Sequence, residues 1–391
     1  MEPSVTTGRT QLRLLIAGGG TGGHVLPAVA VIEELRRRGM PVDALWVGGH
    51  KGVEREIAEA EGIEFVAIQT GKLRRYIAVE TLVDAVRVPI GTLQGGLQVR
   101  RFRPDVIYST GGSVSVPTVV GHAALAKVRL SRRAPILTHE QTAQIGIANK
   151  TASRFAETFA VGFEQTGELA RQRHSRVVVT GNPVRASLKS GDRARGLAWA
   201  GFKDTLPVLY ITGGALGASP LNQRIEPNLN RLLESTQIVH QVGPARANDD
   251  FARLTRLRET LPSALRERYV VQEFVGDELP DVFAMADLVV GRAGAGTVSE
   301  LGYLGLPSVL MPLPGTWGDE QRKNAKVLSA VGASVVLEQS ETDASRLGDT
   351  ILDLLSDRES LAKMGTAART TSREDAAGRL VDELLALLGR S

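Results

Sequence analysis

Within its first forty residues the chain sets out a strand, a glycine turn and a helix in immediate succession. Residues 12–16, Leu-Arg-Leu-Leu-Ile, form an apolar run of the length of a buried strand. From Val25 apolar residues recur at helical spacing until Gly39 ends the pattern. Between them lies Ala17-Gly18-Gly19-Gly20-Thr21-Gly22-Gly23-His24. Glycine is needed where a side chain would block an approaching group or where φ must be positive. The helix end behind such a turn carries about half a positive charge, which favours an anion, typically a phosphate. A tight turn that binds nothing is the simpler alternative.

The same order of elements continues. Apolar runs at 44–47, 65–68, 106–108 and 135–137 have strand length, with helical patterns between them. A second cycle opens with Pro207-Val208-Leu209-Tyr210-Ile211 and the glycine turn 212–218, and alternates through about Leu337. Strands alternating with helices imply parallel sheets, so the expected fold is α/β. It comprises two Rossmann-like, doubly wound domains facing a cleft, with ligands at the carboxyl ends of the strands. The joint is placed at Gly181-Asn182-Pro183-Val184-Arg185, where Asn-Pro signals a turn. The expected domains are 9–184 and 185–371, with an amphipathic C-terminal helix within 372–391 packing back on the first.

Composition narrows the function. With no cysteine among 391 residues, disulfides, thiol nucleophiles and cysteine metal sites are excluded. The N-terminal residues lack the basic start and apolar core of a signal peptide, and no apolar stretch reaches the roughly 20 residues that cross a bilayer. Basic residues cluster at 72–75, 100–103 and 127–133. They lack the interleaved aromatics of a single-strand nucleic-acid binder, so no nucleic-acid partner is expected, and an anionic membrane surface suits them better. Tyr76, Ile77, Leu82, Val83, Val86 and Ile90 would supply an apolar face beside Lys72, Arg74, Arg75 and Arg87, with Leu130 in the basic turn 127–133. A core-facing helix with a solvated charged side is the competing reading.

Several blocks occur together and in order: Gly19-Gly20-Thr21-Gly22-Gly23-His24, His139-Glu140-Gln141, Gly181-Asn182-Pro183-Val184-Arg185, residues 294–300, and Gln321 with Asn324-Ala325. This set resembles glycosyltransferase family 28, whose members have the two-domain GT-B fold. The resemblance covers nearly the whole chain. It implies inverting transfer of N-acetylglucosamine from UDP-GlcNAc to the muramoyl-pentapeptide carried on undecaprenyl diphosphate. It also implies no cofactor, no metal and a peripheral place on the cytoplasmic face of the cell membrane.

The resemblance assigns roles that the chemistry of each side chain suits. His24 is the candidate general base, since an imidazole with an ordinary pKa of about 6.5 takes a hydroxyl proton near neutrality. Glu140 is the alternative base or a polarising group, unless a hydrogen-bond network holds it for the loop. Thr21, Gly22, Gly23 and Thr142 are expected at the substrate. Arg185 would meet the leaving diphosphate, because guanidinium offers a fixed fork of donors and a permanent charge. Ala215 would contribute its backbone N–H, Asn222 its amide and Val275 a backbone rim to the uracil. Ala295, Gly296, Thr297, Val298 and Ser299 open a helix facing phosphate. Glu300 would accept the ribose hydroxyls, and Gln321 would contact the sugar. Ser113, Thr142, Ala215 and Glu320 depart from the residues usual in the family.

Three rivals remain at this point. A UDP-sugar epimerase would share the architecture without needing a lipid-facing patch, and a nucleotide-sugar-binding protein would show no turnover. A nicotinamide dehydrogenase is disfavoured, because the first turn lacks Gly-x-Gly-x-x-Gly spacing and no acidic residue ends the second strand at Val47-Gly48-Gly49.

Overall fold

Strands buried on both faces need continuous apolar runs, and this is what the chain supplies at Leu14-Leu15-Ile16-Ala17 and again at Val208-Leu209-Tyr210-Ile211, all essentially inaccessible. The computed structural model describes residues 11–20, 22–50, 52–71 and 79–389, the side chains of 79–86 excepted. It divides into two units, Met1–Arg185 with Asp375–Ser391, and Ala186–Glu374.

The first unit opens with β1 (Leu12–Gly18), α1 (Gly22–Arg37), β2 (Val42–Gly49), α2 (Glu54–Ala60) and β3 (Glu64–Ile68). It continues with α3 (Val79–Phe102), β4 (Val106–Gly111), α4 (Ser115–Lys127), β5 (Ile136–Glu140) and α5 (Ile147–Ala152). β6 (Thr158–Val161), α6 (Glu164–Arg171) and β7 (Val177–Val179) follow. The seven strands lie in the order β3-β2-β1-β4-β5-β6-β7, every pairing parallel. Between β1 and β4 the order reverses. That reversal leaves a crevice at the carboxyl ends of those two strands, where doubly wound sheets bind ligands.

α3 runs on to Phe102 through Pro89, past the point near Ile90 where the sequence pattern fades. Its glycines explain the length. A Cβ at Gly95 would stand 2.7 Å from the Thr118 Cα, and one at Gly96 2.8 Å from the Gly121 carbonyl oxygen. Glycine here serves helix-to-helix approach against α4 and outweighs its low helix propensity.

In the second unit come α7 (Arg193–Ala200), β8 (Val208–Thr212), α8 (Ser219–Ile225), α9 (Leu229–Ser235) and β9 (Gln237–Gln241). Next are α10 (Asp250–Thr260), α11 (Ser263–Arg266), β10 (Tyr269–Gln272), α12 (Leu279–Met285) and β11 (Leu288–Gly291). α13 (Ala295–Leu304), β12 (Ser308–Leu310), α14 (Glu320–Ser329), β13 (Ser334–Val336), α15 (Ala344–Ser356) and α16 (Arg358–Arg369) complete it. The sheet order is β10-β9-β8-β11-β12-β13, again parallel, with its reversal between β8 and β11.

The last helix, α17 (Ala376–Leu388), belongs to the first unit. Leu380, Val381, Leu384 and Leu387 are buried in one cluster with Val25, Val29 and Ile32 of α1. Arg176 reaches Glu383 at 2.6 Å, and Arg38 pairs with Asp382.

Candidate functional site

In the first unit the turns after β1 and β4 are built into one another. A Cβ on Gly18 would lie 1.9 Å from Thr110 Oγ1, and one on Gly112 2.3 Å from the Gly19 carbonyl oxygen. Gly112 also has φ +80°, so a side chain there is excluded twice over. Underneath the β1 turn sits Glu54, fully buried. Its Oε2 accepts the Gly20 N–H at 2.9 Å and its Oε1 the Gly49 N–H at 2.9 Å. Gly19, Gly48 and Gly52 make room for this side chain, each too close for a Cβ. Sequence reading missed Glu54; the signal was an acid five residues beyond the Gly48-Gly49 pair that closes a strand. It also changes the meaning of the turn. Gly20 spends its N–H on a carboxylate, while Gly20 and Gly22 have open space where a Cβ would be. Gly22 and Gly23 form the first turn of α1, and Thr21 lies outside the described residues.

His24, half-buried on α1, turns Nδ1 toward the reversal point. It lies 3.1 Å from the Thr110 carbonyl oxygen and 2.9 Å from Gln141 Oε1. Gln141, 2% exposed, also donates Nε2 to the carbonyls of Thr110 at 2.9 Å and His139 at 3.0 Å. His139 is fully enclosed, and burial pushes its imidazole down to about 3, with nearby His24 adding to the shift. The backbone at Gly181 opposes it.

Glu140 is 1% exposed and committed to its own loop. Its oxygens accept from the Thr142 N–H at 3.1 Å, the Thr142 hydroxyl at 2.8 Å, the Gly146 N–H at 2.8 Å and Asn149 Nδ2 at 3.1 Å. Four donors leave this carboxylate little capacity for a substrate proton. Of the two alternatives for Glu140, the geometry realises the loop-holding network. Thr142 is likewise turned inward, 7% exposed, with its carbonyl taken by Thr166 at 2.8 Å. Arg185 closes the first unit rather than opening the second. Its charge acts on Glu33 of α1, whose carboxyl burial pushes up while Arg185 and Arg36 pull it down; Arg185 Nε is buried without a hydrogen-bond partner.

The second unit repeats the logic with other residues. Gln241, at the end of β9, donates to Thr212 Oγ1 at 3.2 Å and to the Gly214 carbonyl at 3.1 Å. It accepts from the Val275 N–H at 2.9 Å, so the turns after β8 and β10 are held by one carboxamide. Gln141 was visible in the sequence only as part of the His139-Glu140-Gln141 block, and Gln241 not at all, because a glutamine at a strand end carries no pattern of its own. Ala215 is exposed beside Leu216, which is 66% exposed. Asn222 is not presented to any ligand, contrary to the expectation. It is fully buried, donates to the Val242 carbonyl at 3.0 Å and Asp250 at 2.7 Å, and faces His240 Nε2 at 3.0 Å. The reason is its place on α8, where the side chain faces His240 of β9.

After β11, Gly294 leads into α13, and the first N–H groups of that helix have no acceptor within it. Ala295, Gly296 and Thr297 supply them, and a Cβ on Gly296 would meet nothing. Ser299 donates its hydroxyl to the Ala295 carbonyl at 2.8 Å, and the Val298 side chain is 1% exposed. Glu300 is half-buried, and its charge contributes, after burial, to raising the Tyr210 phenol. Gln321 Oε1 accepts the N–H groups of Ala293 at 3.2 Å and Leu313 at 2.9 Å, which orients the amide nitrogen away from both. Among the described residues no group of three or more His, Asp or Glu is placed to hold a metal ion.

Two doubly wound parallel units in one chain, each with glycine turns at its strand-order reversal, define the GT-B class of glycosyltransferase fold. The "Glycosyltransferase family 28 N-terminal domain" matches residues 14–161, and the "Glycosyltransferase family 28 C-terminal domain" matches residues 208–380. The chain belongs to glycosyltransferase family 28. It is 38% identical over 333 residues, 84% of this chain and 88% of the relative, to a Bacillus cereus protein named UDP-N-acetylglucosamine--N-acetylmuramyl-(pentapeptide) pyrophosphoryl-undecaprenol N-acetylglucosamine transferase 2. The crystal structure of Acinetobacter baumannii MurG matches with a TM-score of 0.71 at 27% identity, over 96% of this chain and 99% of that one. A putative UDP-N-acetylglucosamine 2-epimerase from Listeria monocytogenes matches with a TM-score of 0.69 over 98% and 96% of the two chains, but at 15% identity this speaks for the fold alone.

Proposed function

We propose that this chain transfers N-acetylglucosamine from UDP-N-acetylglucosamine to the muramoyl-pentapeptide carried on undecaprenyl diphosphate, with inversion at the anomeric carbon. The observation that carries the chemistry is His24, tethered through Nδ1 at the first unit's reversal point, with Nε2 making no hydrogen bond to the described residues. The acceptor hydroxyl oxygen attacks the anomeric carbon, its proton passes to His24, and the bond from that carbon to the UDP oxygen breaks. In this reading Gly22 and Gly23, with Thr21, line the acceptor side, while Glu140 and Thr142 shape the loop beside it.

The second unit holds the donor. The N–H groups of Ala295, Gly296 and Thr297 face the diphosphate at the positive end of α13, with Val298 and Ser299 completing that turn. Glu300 accepts the ribose hydroxyls, the Gln321 amide nitrogen donates to the sugar, and the backbone at Val275 borders the uracil. Ala215 offers its backbone N–H, and the Arg185 guanidinium offsets charge developing on the leaving diphosphate. Asn222 supports the donor side from within the core.

The chain docks on an anionic membrane surface in this reading. Ile90, Leu93 and Leu97 share one face of α3 and are 44%, 58% and 43% exposed, and Val128 and Leu130 are 62% and 54% exposed among exposed basic residues of 127–133. Lys72, Arg74, Arg75, Tyr76 and Ile77 lie outside the described residues, as do the side chains of Leu82, Val83 and Val86. Among the described residues no helix is long and apolar enough to cross a membrane.

The test is transfer of labelled N-acetylglucosamine from its UDP donor to the lipid-linked muramoyl-pentapeptide. His24→Ala should abolish turnover while keeping UDP affinity, and Glu300→Ala should weaken UDP binding. Conversion of the nucleotide sugar without acceptor would instead favour an epimerase.

A further inference from the structure

The orientation of Gln141 is decided by its neighbours. Its carboxamide lies within 2.9 Å of the Thr110 carbonyl oxygen, 3.0 Å of the His139 carbonyl oxygen and 2.9 Å of His24 Nδ1. With the NH2 toward the two carbonyls, all three contacts are hydrogen bonds, provided that His24 donates from Nδ1. Turned over, the amide oxygen would face two carbonyl oxygens. His24 Nδ1 would then become an acceptor 3.1 Å from the Thr110 carbonyl oxygen, a third contact of this kind. Three acceptor-to-acceptor contacts in a dry site cost far more than the flip returns. Only one orientation of the amide, with a proton on His24 Nδ1, satisfies these contacts.

We infer that Gln141 is a positioning residue for His24: pinned by the Thr110 and His139 carbonyls, it holds the ring as the Nδ1–H tautomer, so that the lone pair sits on Nε2. A base is useful only if its free nitrogen is the one aimed at the reacting proton, and a third group commonly fixes this. Where a carboxylate in that place would also stabilise the imidazolium, a neutral amide orients without that charge. The groups around the ring are Thr110 from β4, Gln141 after β5, and His139 of β5, which burial keeps neutral. This rests on the reading of His24 as the base, and the two stand or fall by different measurements.

The first measurement needs no substitution at Gln141 and reads the unaltered chain. The full chain has six histidines, so nitrogen-15 histidine labelling gives a tractable NMR spectrum, with His24 assigned by the signal lost in His24→Asn. Above pH 8 the proton should sit on Nδ1; a proton on Nε2 overturns the proposal even if every Gln141 variant fails to fold. The second measurement is the pH profile of kcat/KM. Gln141→Glu places a carboxylate against Nδ1–H and should move the acid limb upward by about one pH unit. Gln141→Met should lower kcat at least tenfold and leave KM for UDP-N-acetylglucosamine within twofold. A merely structural glutamine would reduce activity without moving the limb, so an unmoved limb in a folded Gln141→Glu counts against the proposal. An Nδ1–H tautomer together with full turnover by His24→Asn would retire the base reading and leave the positioning role intact.

Discussion

Replacing Glu54 by glutamine isolates what the buried carboxylate does for the β1 turn. The two side chains have nearly the same size, but the carboxylate accepts at both oxygens, from Gly20 N–H and Gly49 N–H, each at 2.9 Å. Glutamine has one acceptor and one donor. Whichever way it turns, one backbone N–H faces an NH2 group at a side chain with no exposure to water. The lost charge-assisted bond is worth roughly 1.5–3 kcal/mol and the stranded N–H roughly 1–3 kcal/mol. Losing the charge returns part of this, so a net cost of about 3 kcal/mol is expected. For a unit of roughly 200 residues, 1 kcal/mol moves Tm by about 2–4 °C, giving a fall of about 6–12 °C. Scanning calorimetry of Glu54→Gln measures that fall, and UDP titration should show the affinity unchanged, since Glu54 lies in the first unit. A Tm within about 2 °C of the parent would refute the reasoning, as would weakened UDP binding.

Gly112→Ala combines a Cβ 2.3 Å from the Gly19 carbonyl oxygen with φ of +80°, so the β1 turn must shift; kcat should drop at least tenfold with UDP affinity retained, and an active variant would show that the turns are not interlocked. Ending the chain at Asp375 removes four buried apolar side chains of α17, worth about 6–12 kcal/mol together, which rivals the whole stability of a domain. Limited proteolysis of that truncation should spare 186–374 and digest the first unit; a protease-resistant first unit would contradict this. Burial pushes His139 and His240 each down to about 3. The unfolded chain binds these protons below about pH 6.5 and the folded chain does not, so their contribution is complete above pH 6.5 and is lost as pH falls toward 3. The slope is roughly 1 kcal/mol per pH unit for each histidine. Calorimetric Tm between pH 7 and pH 5 should therefore decline, and a flat profile would mean that these rings are not held neutral.

The sheets were legible because strand-length apolar runs and glycine turns are properties of neighbouring residues. The reversal points were partly legible too, since Gly18–Gly23 and Gly291–Gly296 mark the turns beside them. What could not be read was how those glycines are used. Five glycines in the first turn suggested access for a ligand, yet Gly18 and Gly19 are occupied by contacts with Thr110 and Glu54, and open space remains at Gly20 and Gly22. Long-range polar contacts were equally invisible. His24 meets Gln141 across 117 positions of chain, and Gln241 reaches Val275 across 34. Asn222 matched its motif, but its amide is taken by the Val242 carbonyl, Asp250 and His240, partners 18 to 28 positions away that the motif does not show.

The return of α17 means that the first unit is interrupted by the whole of the second. On the ribosome, residues 186–374 emerge as a contiguous unit that has all of its own strands, while the earlier half still lacks its closing helix. Folding during synthesis usually runs from the N-terminus. Here the order is inverted, because the groove on α1 that receives Leu380 and Leu384 stays uncovered until α17 leaves the exit tunnel. The nascent protein therefore carries an apolar stripe until α17 is made, and chaperone engagement should centre on α1 and end once α17 has emerged.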